Sequence, residues 1–141
     1  PGFSRHLILT DRFGVVCRAD HPLARDWSDL SWADLKAVDF ITNGLCDQIT
    51  DESFVPIRDN ARLNVANTAS LLSLVRAGVG VTLLPELAVL PGQSDLAFLP
   101  LIDSSARREL WMLTPPDDMM TPAAQALARA IREADLRDTQ V

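Results

Sequence analysis

Two short segments of this 141-residue chain carry small polar residues in a pattern that could bind an anion. The segments are Thr42-Asn43-Gly44 and Ala66-Asn67-Thr68, the second continuing into Ala69-Ser70. Each follows an apolar run and precedes a candidate helix, and the first N–H groups of a helix are free to bind a carboxylate. Ordinary helix capping explains either segment alone. Their joint occurrence favours a ligand site, because in an open α/β sheet such turns lie where ligands bind.

Catalytic chemistry has little support in the sequence. A Ser, Cys or Thr nucleophile needs a neighbouring base, and the only histidines are His6 and His21. His21 precedes Pro22, and such a histidine is more typical of a loop residue that caps local backbone groups than of a general base. No Gly-x-Ser-x-Gly elbow occurs, and the carboxylates lie mostly on predicted polar faces. We therefore predict no catalytic residue and no enzyme.

Metal and cofactor binding are equally weakly indicated. Cys17 and Cys46 form no Cys-x-x-Cys pair and have no clustered His, so we interpret them as buried or partly buried thiols. Gly78 and Gly80 follow a predicted helix and precede a predicted strand, which is the reverse of a dinucleotide-binding turn. The prediction is no metal and no cofactor. A thiol redox sensor that uses Cys17 and Cys46 remains an alternative.

Short apolar runs between Gly, Pro and polar residues predict the strands that must position the two polar segments. The runs are Leu7–Leu9 and Phe13–Cys17, as one strand or two, then Val38–Thr42, Ala61–Ala66, Val79–Leu84, Leu96–Leu101 and Glu109–Leu113. Val79–Leu84 is rich in β-branched residues and is predicted to be a central parallel strand. Ala61–Ala66 alternates polar and apolar residues, as a half-buried strand does.

Capping residues and apolar spacing predict the helices. They are a short helix after Ser31, a helix within Asp47–Val55 ending before Pro56, a helix capped by Asn67 or Thr68 and ended by Gly78, a helix at Glu86–Leu90, and a final helix from Thr121-Pro122 with Ala124, Leu127, Ala128, Ile131 and Leu136 on one stripe. Alternating strands and helices predict an α/β architecture with a largely parallel sheet.

Composition narrows the classes of function. The chain has 13 Lys and Arg against 19 Asp and Glu, a net charge of −6, so this chain alone is not expected to hold DNA. Its apolar runs fall far short of the roughly 20 residues that cross a bilayer, so we predict no membrane partner. With few Cys and no leader-like start, a reducing cytoplasm is the expected location. The start at Pro1 suggests a fragment.

Several segments, in order and with matching spacing, resemble LysR-type transcriptional regulators. They are Cys17-Arg18-Ala19-Asp20-His21-Pro22-Leu23-Ala24, Leu30-Ser31-Trp32-Ala33-Asp34-Leu35, Phe40-Ile41, Asn67 to Pro85, Arg107-Arg108-Glu109-Leu110-Trp111 and Thr121-Pro122-Ala123-Ala124. Each motif is loose alone, whereas the ordered set covers nearly the whole chain. The resemblance identifies the chain as the C-terminal part of an effector-binding domain.

The resemblance implies a periplasmic-binding-protein type 2-like fold of two α/β subdomains, with the first one incomplete in this chain. Residues 23–85 would form approximately the second subdomain, while 1–22 and 91–141 would supply crossing strands and the returning part of the first. The family's N-terminal winged helix-turn-helix, linker helix and first half of the first subdomain are the parts expected to be absent here. DNA would be bound only through that helix-turn-helix.

The resemblance also implies where a ligand binds. Thr42, Asn43 and Gly44 match one loop that lines the cleft for a small-molecule effector, and Ala66, Asn67 and Thr68 match another. We expect Thr68 and the nearby helix N–H groups to bind a carboxylate or polar head, and we expect this chain alone to bind effector poorly. The resemblance further implies that the 68–77 helix packs on a partner subunit in a homodimer or homotetramer. A stand-alone solute-binding protein of the same fold is the alternative function.

Overall fold

The computed structural model describes residues 2–25, 30–89 and 93–134. Its strands are β1 (Ser4–Arg18), β2 (Ile41–Thr42), β3 (Leu63–Asn64), β4 (Thr82–Pro85), β5 (Leu96–Pro100) and β6 (Arg107–Thr114). Its α-helices are α1 (Pro22–Arg25), α2 (Val55–Asp59), α3 (Thr68–Arg76) and α4 (Pro122–Glu133). Short 3-10 helices lie at Trp32–Ala37, Gly44–Gln48, Glu86–Ala88 and Asp117–Met119.

The chain divides into two compact units that we describe separately. The first unit comprises Pro1–Asp11 and Arg108–Val141, and the second comprises Arg12–Arg107. The long strand β1 contributes its beginning to the first unit and its end to the second. The subdomain limits implied by the family resemblance, about residues 23–85, stay a prediction.

Strand β1 is the centre of the sheet in the second unit. It pairs antiparallel with β4, where Val15 faces Leu83, and with β5, where Val15 faces Leu99. Parallel pairing occurs between β2 and β3 and in an isolated bridge from Phe40 to Val81. The expected largely parallel sheet is therefore wrong for the part of the chain described. A continuous apolar run indicates burial on both faces, but it does not reveal the direction of the neighbouring strand.

The core of the second unit consists of two clusters of buried side chains. The larger cluster contains Trp32, Phe40 and Phe54, whose rings pack in a tilted pair (Trp32 to Phe54, centroids 5.3 Å apart) and an edge-on pair (Phe40 to Phe54, 5.6 Å). The smaller cluster joins α3 to the sheet through Leu71, Leu72 and Val75. Because these side chains face inward at helical spacing, burial of apolar surface fixes the position of α3 and of its N-terminus.

Two helix predictions have different outcomes. The helix after Ser31 is confirmed as a 3-10 helix with a reciprocal capping box, in which the Ser31 N–H donates to the Asp34 carboxylate at 2.8 Å. The helix predicted within Asp47–Val55, ending before Pro56, is wrong. The structure instead has the 3-10 helix Gly44–Gln48 and then α2, with Pro56 in its first turn. Proline is tolerated there because the first helical N–H groups need no helical partner.

The other elements of the second unit agree in place but not always in extent. Strand β3 has only two residues, both exposed, in place of the half-buried Ala61–Ala66. Asn67 caps α3, and Gly78 follows its end with φ +80°, a left-handed conformation that favours glycine. The helix predicted at Glu86–Leu90 is a 3-10 turn over Glu86–Ala88, and Leu90 lies outside the described residues.

The first unit contains the beginning of β1, strand β6, which pairs with β1, and α4. The predicted start of α4 is confirmed, since Thr121 Oγ1 accepts a hydrogen bond from the Ala124 N–H at 3.1 Å. The predicted apolar stripe is only partly buried: Ala128 is 4% exposed but Leu127 is 62% exposed. Leu136, the last residue of that predicted stripe, lies outside the described residues.

Candidate functional site

The structure brings the two polar segments together within the second unit. Strands β2 and β3 are parallel neighbours with Thr42 facing Asn64, and the Val65 N–H donates to the Thr42 carbonyl at 2.9 Å. One polar segment follows each strand at the same edge of this pair. We call residues Thr42–Gly44 and Ala66–Thr68 the carboxyl-end site. The local geometry therefore agrees with the arrangement that the sequence pattern required.

The Asn43 side chain is engaged by the protein itself. This residue is 5% exposed, its Nδ2 donates to Thr82 Oγ1 at 2.9 Å and to the Leu83 carbonyl at 3.0 Å, and its Oδ1 accepts from the Leu45 N–H at 2.9 Å. Thr82 Oγ1 in turn donates to the Ile41 carbonyl at 2.7 Å. Buried polar groups need such partners, so Asn43 fixes the loop between β2 and the next helix. Its side chain has little capacity left for a ligand.

Thr82 is a residue of this site that the sequence reasoning did not identify. It is fully buried in β4 and connects β4 to the loop after β2 through Asn43 and Ile41. The sequence did contain a signal for this role, because Thr82 is the only residue of the apolar run Val79–Leu84 that has a polar side chain. A hydroxyl in a buried strand predicts a hydrogen-bonded network.

The start of α3 leaves N–H groups open to a ligand. Asn67 Oδ1 accepts from the Ser70 N–H at 3.0 Å, and the Asn67 carbonyl accepts from the Leu71 N–H at 2.9 Å. Capping thus uses the N–H groups of the third and fourth helical residues and leaves those of Thr68 and Ala69 without a described partner. Both residues are exposed. These two N–H groups, the Thr68 hydroxyl and the positive end of the helix dipole together suit an anion.

The two thiols are buried in the core of the second unit. Burial raises the pKa of Cys17 to about 11, with an added contribution from the negative charge of Asp20. Burial also raises the pKa of Cys46, although hydrogen bonds from Asn43 and Thr42 act in the opposite direction. The thiolate is the reactive form of cysteine, so both environments oppose rapid oxidation.

The ring of His21 is engaged by the local backbone. His21 Nδ1 accepts a hydrogen bond from the Leu23 N–H at 3.1 Å, which confirms the prediction that its ring caps local backbone. Burial lowers the pKa of His21, opposed by Asp20. Residues 2–25, 30–89 and 93–134 contain no group of three or more metal-ligating side chains. Over the same ranges, no helix is both long enough and apolar enough to span a bilayer.

Comparison with known proteins defines the family. The family model described as the LysR substrate binding domain matches residues 1–135, so the chain belongs to this family. This result confirms the resemblance and the periplasmic-binding-protein type 2-like fold predicted from the sequence motifs. Among curated proteins, the HTH-type transcriptional regulator YbhD of Escherichia coli is 28% identical over 126 residues, which cover 84% of this chain. The chain spans only 39% of the length of that relative.

Solved structures show the same fold. The reduced form of OxyR is 26% identical, with a TM-score of 0.67, over 93% of this chain and 64% of that chain. The effector binding domain of QuiR in complex with shikimate is 17% identical, with a TM-score of 0.69, over 93% of this chain and 64% of that chain. The likeness to QuiR shows the fold alone.

Proposed function

We propose that this chain is the effector-sensing part of a LysR-type transcriptional regulator that acts in the cytoplasm. The observation that carries the proposal is the family match over residues 1–135, and the relative YbhD is a regulator with a helix-turn-helix. DNA binding belongs to a helix-turn-helix elsewhere in the full-length protein, consistent with the net charge of −6 of this chain. The full-length protein would act as a homodimer or homotetramer, with α3 as one contact surface.

The carboxyl-end site would bind the acidic or polar head of the effector. Thr68 and Ala69 supply free N–H groups, Thr68 supplies a hydroxyl, and Asn43 holds the neighbouring loop in place. The shikimate bound by QuiR is itself a carboxylate, which supports this class of ligand. An effector that binds one arrangement of the two subdomains more tightly shifts the protein towards it and so changes its action on transcription.

A thermal-shift screen of organic carboxylates against the full-length gene product tests the proposal. A true effector raises the melting temperature, because it binds the folded state only. For the strongest hit, Thr68→Ala should weaken binding in calorimetry by about 10-fold to 150-fold, because one hydrogen bond to a charged group contributes about 1.5–3 kcal/mol.

Ser73→Ala is the matched control for Thr68→Ala. Ser73 lies on the exposed part of the same helix, and its hydroxyl donates to the Ala69 carbonyl at 3.0 Å. It should leave effector affinity unchanged. If Thr68→Ala also leaves the affinity unchanged, the assignment of Thr68 is wrong. A stand-alone solute-binding protein remains the second candidate, and a full-length product with a secretory leader and no helix-turn-helix would support it.

A further inference from the structure

A cavity of the second unit lies at the end of the parallel strands opposite the carboxyl-end site. It has a volume of about 550 Å³ and lies beside the residues that precede β2, β3 and β4. Its apolar lining includes Leu35, Val38, Phe40, Ile57, Leu63 and Val79. We call it the amino-end cavity. None of the six residues of the carboxyl-end site lines it, so the two places are distinct.

The base of the amino-end cavity belongs to the core, whereas its walls are open to water. Phe40 is 7% exposed and is held edge-on against Phe54 in the main cluster. Leu63 and Val79, in contrast, are 42% and 41% exposed. A volume of this size lies within the usual range for small-molecule pockets, which are mostly apolar with a few polar groups. A ligand with an apolar body would remove these two side chains from water.

Three charged side chains also line the cavity: Lys36, Arg62 and Asp39. All three are exposed, and over the described ranges neither cation is within ion-pair distance of any carboxylate. Some other arginines of the same unit are ion-paired, as Arg76 is with Asp95 at 2.8 Å. Two positive groups and one negative group leave a net charge of +1 at this cavity in a chain whose net charge is −6.

We propose that the amino-end cavity is a second ligand site for small amphipathic monoanions, such as carboxylates with an aliphatic or aromatic body. The apolar body packs against Phe40, Leu63 and Val79, and the carboxylate accepts hydrogen bonds from Arg62 and Lys36. Asp39 repels a second negative charge, so monoanions bind better than dianions. The cavity shares no lining residue with the carboxyl-end site, so binding there does not require the proposed effector site.

Octanoate is the probe, because it combines one carboxylate with an apolar chain. Titration into the 141-residue chain, followed by methyl NMR, should give saturable shifts for Ile57, Leu63 and Val79. Arg62→Glu or Lys36→Glu should each weaken octanoate binding about fivefold, the effect of replacing one exposed ionic attraction by repulsion. The uncharged analogue 1-octanol should bind more weakly than octanoate, and suberate, a dicarboxylate of equal length, should also bind more weakly.

Arg129→Glu is the matched control, because Arg129 is an exposed arginine of α4 with no ion pair among the described residues. It should leave octanoate binding unchanged, and so should Thr68→Ala. Octanoate shifts concentrated at the methyl groups of Thr42, Ala66 and Thr68 would overturn the proposal and assign the binding to the carboxyl-end site. Absence of saturation at millimolar octanoate would overturn it as well. The proposal would also be overturned if the methyl shifts of Leu63 and Val79 changed with protein concentration in the absence of octanoate and sedimentation showed a dimer. A second copy of the chain would then cover this face.

Discussion

The two ends of the parallel strands in the second unit use their polar residues in opposite ways. At the carboxyl-end site, the amides of Asn43 and Asn67 are directed to the protein's own backbone. At the amino-end cavity, the charged groups of Lys36 and Arg62 remain without ionic partners in the described part of the chain. The first arrangement fixes a backbone, and the second leaves exposed cationic side chains beside an apolar surface.

This difference indicates two kinds of recognition. The free N–H groups at the start of α3 belong to a helix whose inner face is packed into the core, so they keep fixed positions, and the carboxyl-end site should be selective for the shape of one acidic group. Long cationic side chains on an open surface adapt to many anions but lose conformational entropy on binding. We therefore expect a selective effector site and a permissive second site in the same small unit.

The largest change in the free energy of unfolding is expected for a substitution of Asn43, which tests whether this residue makes the carboxyl-end site rigid. Asn43→Leu removes both donors and the acceptor, leaving the Leu83 carbonyl and the Leu45 N–H without their partners. Each buried unpaired group costs about 1–3 kcal/mol, so the free energy of unfolding should fall by about 3 kcal/mol. Urea denaturation measures this change.

Asn64→Leu is the control for Asn43→Leu. Asn64 is exposed at the end of β3, and its side chain forms no hydrogen bond with the described residues. Its substitution should change the free energy of unfolding by less than about 0.5 kcal/mol. Equal losses for the two variants would mean that the Asn43 network does not distinguish this end of the strands.

The next largest change in stability is expected from a comparison of two glycines, Gly80 at the amino end of the strands and Gly44 at their carboxyl end. A Cβ at Gly80 would lie 2.6 Å from the Asp39 carbonyl oxygen, which cannot retreat because it accepts from the Val81 N–H at 2.8 Å. A Cβ at Gly44 would meet nothing within 4 Å. Gly80→Ala should therefore destabilise by about 1–3 kcal/mol in thermal or urea denaturation.

Gly44→Ala should leave stability unchanged or raise it slightly, because it restricts only the unfolded chain. A neutral Gly80→Ala would show that the segment before β2 can move away from Gly80. The base of the amino-end cavity would then be less rigid than the structure indicates.

The sequence was sufficient to predict the family, the α/β fold and the positions of the two polar segments. The order and spacing of motifs such as Leu83-Leu84-Pro85 identified the family. Each of these motifs is a short stretch of neighbouring residues and can be recognised without knowledge of distant contacts. Strand direction was not predictable, because β4 pairs antiparallel with β1 but is bridged in parallel to Phe40. The role of Asn43 was missed for the same reason: its partners Thr82 and Leu83 are about 40 residues away along the chain.

The smallest expected effect concerns the two buried thiols, Cys17 in β1 and Cys46 in the 3-10 helix Gly44–Gln48. The folded chain keeps the Cys17 proton up to a pKa of about 11, whereas the ordinary pKa of a cysteine thiol is 9.0. Above pH 9 the unfolded chain therefore releases a proton that the folded chain retains, and stability falls as pH rises through this window. Below pH 9 the thiol contributes no pH dependence.

Urea denaturation between pH 7 and 11 measures this effect, and Cys17→Ala should reduce the slope of stability against pH above pH 9. Cys46→Ala should reduce it as well, because burial also raises the pKa of Cys46. A slope that both variants leave unchanged would contradict the burial of the thiols in the folded chain. Rapid reaction of native Cys46 with peroxide near pH 7 would go further, since the carboxyl-end site would then lie beside a redox-active thiol.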